Sequence, residues 1–357
     1  MARHFLLSKE AADLNLDTVI HMSEDRARVK FRKIVWEDTK GKPVCPPCGG
    51  HDHWELVKDA KWKCKGKDQA GKPCRRQFSP TTDTIFHAHK LSYRQLLKVC
   101  ALFTFGVNGV SAMMIRRLCQ IDHKSAFVLL HKIREALGKD ENAATLGGVV
   151  EMDGAVFGRD IMRMPNDKSK WEKVYQGNKA AARKRKGLIV VIRERPVVGS
   201  GVPAKVRTFV VSKEGDAVEI ARKLLLPDTV LHVDCSTQWL PADMYFDTKR
   251  INHSEHYSFN GACTNFAESF FSRMRTGERG IYKHISGTRL ALYAMELGWR
   301  EQFCRKGTQF QFERIVRIAG QTKRSDTFKG YWRKRPRPDN DHGGNDNDGS
   351  DFFAQFA

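Results

Sequence analysis

Three carboxylates in this sequence stand where a carboxylate needs a reason. Asp153 lies inside the apolar run "GGVVEMDGAVFG", two residues after Glu151 and so on the same face of a strand. Burying it there is costly unless something pairs with it. Asp234 closes a second Val/Leu-rich run, "DTVLHVD", and sites of parallel α/β sheets gather at strand carboxyl ends. Glu268 sits in "GACTNFAESFFSRMR", where Phe266, Phe270, Phe271 and Met274 recur at helical spacing. Thr264 stands at the expected N-cap, and Asn265 lies one turn before the glutamate. Alone, Glu268 reads as a solvent-facing residue on a packing helix. Together, converging acids repel and stay ionised only if a cation neutralises them. Hard oxygen ligands suit Mg²⁺ or Mn²⁺. Two such ions about 4 Å apart would activate a water or hydroxyl and stabilise the leaving oxygen of a phosphodiester, with no covalent protein nucleophile.

A second chemical signal lies earlier. Four of the nine cysteines cluster as Cys45, Cys48, Cys64 and Cys74. Cys45-x-x-Cys48 on a Pro/Gly turn aims two thiolates at one point, and Zn²⁺ takes four such ligands in a tetrahedron. Cys64 and Cys74 supply the second pair across an enlarged loop, "KGKDQAGKP", with His51 or His53 able to replace one thiolate. A segment this poor in apolar residues needs a metal to fold. Cys100, Cys119, Cys235, Cys263 and Cys304 are scattered and are expected to be small buried hydrophobes.

The elements that must position these residues follow from pattern. Residues 1–40 read as a charged helical segment, 41–82 as a zinc ribbon, and 83–140 as a helical block. Within that block "GVSAMMIRRLCQIDHKSAFVLLHKIREAL" reads as helix, short turn, helix, capped by Ser111 and Asp122. In a basic protein this suggests a helix-turn-helix, whose second helix would expose Lys124, Ser125, His131, Lys132 and Arg134. From residue 146 the order becomes strand, strand, strand, helix, strand, then the Glu268 helix, a domain expected to run to 325. Between the first two strands lies a basic stretch containing Lys179, Arg183, Lys184, Arg185 and Lys186, expected to hold DNA backbone near the core. Residues 326–357 are polar and expected to be disordered.

Lys plus Arg total 62 against 41 for Asp plus Glu, a formal charge of +21, which favours a polyanionic partner. No apolar run approaches the roughly 20 residues of a transmembrane helix. No signal peptide is seen at the N-terminus, and a protein of the cytosol or nucleoid without a membrane partner is expected.

These pieces together resemble a family. "CPPCGG", the helix-turn-helix stretch, "GGVVEMDGAVFG", "HVDCSTQW", "INHSEHYSF" and "NFAESFFSRMRTGERGIYKHIS" look like bacterial insertion-sequence transposases of the IS-fifteen-ninety-five group, over residues 31–303. The resemblance implies an α/β fold, with an RNase-H-like DDE catalytic domain preceded by a zinc ribbon and a helix-turn-helix domain. It implies Asp153 and Asp234 as the first two metal ligands. The third position of the group is Glu or Asn; Glu268 and Asn265 both occur here, and a charged ligand neutralises metal better. Arg275 stands where the group tends to carry Lys and could clamp a phosphate. The implied activity is a DNA transposase acting on its element's terminal inverted repeats and target DNA, as a dimer or higher oligomer on the double strand, with Mg²⁺ (or Mn²⁺) and Zn²⁺. The alternatives are an RNase-H-like nuclease or nicking enzyme without joining, and a catalytically dead transposase-derived DNA-binding protein.

Overall fold

The computed structural model describes residues 5–68, 70–139, 145–158, 187–197, 202–252, 255, 262–283, 285 and 289–328. The chain divides into two compact units, the first of residues 1–140 and 305–334, the second of residues 141–304 and 335–357.

In the first unit, α1 (Leu16–Ile20) and α2 (Glu24–Val35) start at Asn15 and Ser23, whose side chains accept backbone N–H groups of the first turn. A three-stranded antiparallel sheet follows, β1 (His53–Leu56), β2 (Lys61–Cys64) and β3 (Gln77–Phe78), in that order. Its small core is Trp62 and Phe78 with Cys45 and Cys64, against Trp36. Three helices complete this stretch: α3 (Tyr93–Phe105), opened by a Ser92/Gln95 capping box, α4 (Ala112–Cys119) and α5 (His123–Gly138).

The second unit is a five-stranded mixed sheet. Its strands are β4 (Val149–Phe157), β5 (Gly187–Glu194), β6 (Val206–Val211), β7 (Val230–Asp234) and β8 (Asp247–Ile251), and α6 (Asp216–Leu224) links β6 to β7. The order across the sheet is β6-β5-β4-β7-β8. β4, β5 and β6 pair antiparallel, whereas β4–β7 and β7–β8 pair parallel. The strand at the β7 edge, "DTKRI", escapes a pattern search because its charges suit an edge rather than a core. On the far side of β8 in sequence come α7 (Asn265–Gly277), continued by a π-helix at Glu278–Tyr282, and α8 (Leu290–Phe303).

Strand parity sorts the side chains onto two faces. Val150, Met152, Val190, Ile192, Leu231 and Val233 pack with α6. Ala155, Phe157, Ile189 and Val191 pack with Ala267, Phe270, Phe271 and Met274 of α7 and with α8. Odd-numbered residues of β4 and even-numbered residues of β7 therefore share the α7 face, which places Asp153 and Asp234 on one side of the sheet.

The last helix, α9 (Thr308–Gln321), returns to the first unit and packs on α2, α3 and α5. The sequence reading carries the catalytic domain to residue 325; the structure divides the chain after Cys304. The apolar stripe Phe312, Ile315, Val316 and Ala319 is fully buried in that bundle. Gly320 permits the approach to α2, since a β-carbon there would stand 2.2 Å from Val35 Cγ2. Beyond α9, the buried Glu135 accepts hydrogen bonds from Ser325 Oγ and the Asp326 N–H.

Candidate metal cleft and cysteine cluster

β4 and β7 are parallel neighbours, in register with Glu151 opposite His232. Two residues further along each strand stand Asp153 and Asp234. Asp153, Asn265, Glu268, Ser272 and Arg275 line one open cleft of about 730 Å³. On α7 these polar residues recur at i, i+3, i+7 and i+10, opposite the buried Ala267, Phe270, Phe271 and Met274. The aromatics anchor the helix, and the glutamate faces the cleft. Asp234 is not part of the cleft wall, and its Oδ1 accepts the Ser236 N–H at 3.0 Å.

The electrostatics tie these acids together. Burial first, then repulsion from Asp234, Glu214 and Glu268, pushes the Asp153 carboxyl up to about 7, although it accepts the Gly154 N–H. Glu214, just ahead of α6, is a carboxylate that sequence reasoning missed. Its pKa is raised by burial and by Asp234, against a lowering contact from Ser236. Its place is made by Gly154: a β-carbon there would lie 2.8 Å from Glu214 Oε1. The available signal was a glycine directly after a strand acid, since an acid before a helix is otherwise ordinary. Arg275 lies with its guanidinium 5.7 Å from the Phe157 ring centre, at the cleft.

The start of α7 is fixed from the sheet. Thr264 occupies the N-cap position but makes no side-chain cap bond. Instead Glu151 Oε2 accepts the N–H groups of Phe266 at 2.8 Å and Ala267 at 3.0 Å. Across the strand pair, His232 Nδ1 lies 3.1 Å from the Cys263 carbonyl oxygen and 3.3 Å from its N–H, and burial lowers the His232 pKa. Arg193 of β5 donates to the Phe266 carbonyl at 3.0 Å and stacks 4.6 Å from its ring.

In the first unit all four expected cysteines converge, with their Sγ atoms within 4.8 Å of one another. Cys45 and Cys74 are 3.8 Å apart, Cys48 and Cys64 3.5 Å. Zn–S bonds of about 2.3 Å set tetrahedral sulfurs about 3.8 Å apart, so the donors fit one zinc ion. The long Cys64–Cys74 connection folds back on itself. Lys67 bridges Pro73, Asp68 Oδ1 accepts the Ala70 and Lys72 N–H groups, and the Cys74 N–H bonds to Gly66 O. Neither His51 nor His53 belongs to the cluster; His53 Nδ1 lies 2.7 Å from the His51 carbonyl oxygen. Of the scattered cysteines, Cys100, Cys119 and Cys263 are buried as expected, but Cys235 and Cys304 are exposed.

α4 and α5 are joined by the three residues 120–122, with Gln120 left-handed at φ 53°. Ser111 and Asp122 cap the two helices through Met114 and Lys124 N–H groups. Lys124 and Ser125 are exposed at the start of α5. Lys132 is half-buried, and burial lowers its pKa. His131 and Arg134 are buried, contrary to expectation, because this face of α5 is the bundle's interior. The His131 ring stacks on Phe328, and Arg134 donates to the Val110 carbonyl. Lys179, Arg183, Lys184, Arg185 and Lys186 lie outside the described residues. Of the tail expected to be disordered over 326–357, the first three residues are described and ordered, with Asp326 bonded to Glu135 and Phe328 buried; the rest lies outside the described residues. Among the described residues no helix is long and apolar enough to cross a membrane.

The family of ISXO2-like transposase domains matches residues 145–302, the stretch that holds the sheet, Asp153, Asp234 and α7. None of the curated proteins and none of the solved structures matches the chain.

Proposed function

With an ISXO2-like transposase domain over residues 145–302 as the premise, we propose that the protein is a DNA transposase that binds its element's terminal inverted repeats, hydrolyses the 3′ end and joins it to target DNA. The observation that carries this is the meeting of Asp153, Asn265, Glu268 and Arg275 on one cleft, with Asp234 close enough to raise the Asp153 pKa. The domain reading is RNase-H-like: three antiparallel strands extended by two parallel ones, with a helix before the fourth, support it.

Asp153, Asp234 and Glu268 would hold Mg²⁺ or Mn²⁺. Their donor set fits: all are hard oxygens, and the unneutralised repulsion at Asp153 is what a divalent cation would relieve. When bound, such ions supply an activated water or 3′-hydroxyl and stabilise the leaving oxygen. Asn265, neutral and one turn earlier on the same face, is the alternative third ligand. Arg275 would hold a phosphate of the strand beside the acids.

The four cysteines would hold Zn²⁺ as a folding element. The α4–α5 pair is read as a helix-turn-helix, with Lys124 and Ser125 at the start of the recognition helix where base-edge contacts belong. Lys132, half-buried, would contact the DNA backbone. The five basic residues of 179–186 would grip phosphates without reading sequence. A dimer or higher oligomer on DNA, in a bacterial cytoplasm at the nucleoid, completes the reading.

Labelled element ends incubated with the protein and Mg²⁺ or Mn²⁺ test it. Joined products support a transposase; cleavage without joining favours a nuclease or nicking enzyme. End binding without either reaction favours a dead, transposase-derived DNA-binding protein.

A further inference from the structure

The residues one register step behind the two strand acids hold the helix that carries the third. Glu151 and His232 face each other across β4 and β7, two residues before Asp153 and Asp234. Glu151 is fully buried and spans from β4 to the first turn of α7, where its Oε2 accepts two of the N–H groups that no helix can satisfy internally. A carboxylate at a helix N-terminus is also favoured by the helix dipole. The local residue that would ordinarily do this, Thr264, makes no such bond. Arg195 Nε lies 3.4 Å from the other carboxylate oxygen, and Cys263 Sγ 3.8 Å from it, so both oxygens are committed. Glu268 is one residue beyond the second clamped amide.

We propose that Glu151 is a positioning residue of the metal cleft: by clasping the Phe266 and Ala267 amides it fixes the first turn of α7, and so the distance of Glu268 and Asn265 from Asp153 on the same strand. The inference rests on the metal-cleft reading. It assigns Glu151 no contact with metal or DNA. One strand thereby delivers the first ligand directly and the third through a helix.

The test uses the full-length protein and Mn²⁺ alone, followed by calorimetric titration, with end joining measured against Mn²⁺ concentration. Asp153→Asn is the control for the reading: wild type that binds no Mn²⁺, or binds it equally after Asp153→Asn, overturns the metal cleft and the clasp with it. Given binding at the cleft, Glu151→Asp keeps the charge but shortens the reach. It is expected to weaken Mn²⁺ affinity about tenfold, in the range typical of lost outer-sphere support, with full joining recovered at saturating metal. Glu151→Gln keeps an oxygen at full reach and is expected to bind Mn²⁺ more tightly than Glu151→Asp. Unchanged affinity in Glu151→Asp, or a loss of maximal rate at unchanged affinity, would make Glu151 merely structural and overturn the clasp. Wild-type protein supplies a measurement that needs no variant to fold: the Phe266 and Ala267 amides are expected to resist hydrogen exchange, and rapid exchange there would equally overturn it.

Discussion

At the scale of single residues, Asp153 is the most perturbed acid of the cleft. Its folded carboxyl keeps its proton up to about pH 7, whereas an unfolded aspartate releases it near about 3.9. Between those values the folded state binds more protons, so this group makes metal-free protein less stable as pH climbs from about 4 to about 7. Asp153→Asn is expected to flatten that slope and to stabilise the metal-free protein at pH 8 by up to roughly 4 kcal/mol, since about three pKa units at about 1.4 kcal/mol each are removed. Thermal melts in chelator across the pH range check this; a slope unchanged by the substitution would contradict it. Asp153 and Glu268, which line one cleft, stand out in the sequence because each interrupts an apolar pattern, and Asp234 because it closes one. Glu214 was not legible, because it fills the space that a β-carbon on residue 154 would take, and no one-dimensional pattern records that space. Glu151 was visible as a second acid on the strand, but its bond to α7 spans over a hundred residues and has no local signature.

At the scale of elements, remote capping recurs. Glu24 of α2 accepts the Tyr93 and Arg94 N–H groups at the start of α3, as Glu151 does for α7. Sequence patterns found the α4–α5 pair and its two caps, Ser111 and Asp122, because those bonds are local, whereas Thr264 makes no side-chain cap bond. They missed the burial of His131 and Arg134, because a helix with apolar and basic residues interleaved does not reveal which face the bundle takes. The cysteine hairpin leads to a metal prediction. Treatment of the protein with a chelator is expected to expose the four clustered thiols to a thiol reagent and to lower the first unit's thermal midpoint, with Zn²⁺ restoring both. Equal thiol reactivity with and without chelator would refute the site. For α4–α5, Lys124→Ala is expected to weaken binding to the element ends and to reduce the log–log salt slope by about 1 if it contacts phosphate, or relax sequence preference at one position if it contacts a base. Fluorescence anisotropy over a salt series distinguishes these, and no change in either would remove α5 from the DNA interface.

At the scale of the whole molecule, the chain leaves its first unit after residue 140, builds the second, and returns at residue 305 to complete the first. The return was illegible in sequence: the stripe on α9 shows that a face is buried but not where. Phe312→Ala is expected to destabilise the first unit by about 3–5 kcal/mol, the usual range for a fully buried aromatic. A loss below about 1 kcal/mol in denaturant melts would show that α9 does not hold that unit together. The formal charge of +21 gives the molecule a general attraction for DNA, so DNA binding alone says little about catalysis. The direct test of the central claim is strand transfer of labelled element ends in Mg²⁺ or Mn²⁺, comparing wild type with Asp153→Ala, Asp234→Ala, Asn265→Ala and Glu268→Ala. Joined product is expected from wild type and Asn265→Ala, and none from the three acid variants. Joining that survives the loss of Asp153 or Asp234, or wild-type protein that binds the ends but neither cuts nor joins them with any metal, would contradict it.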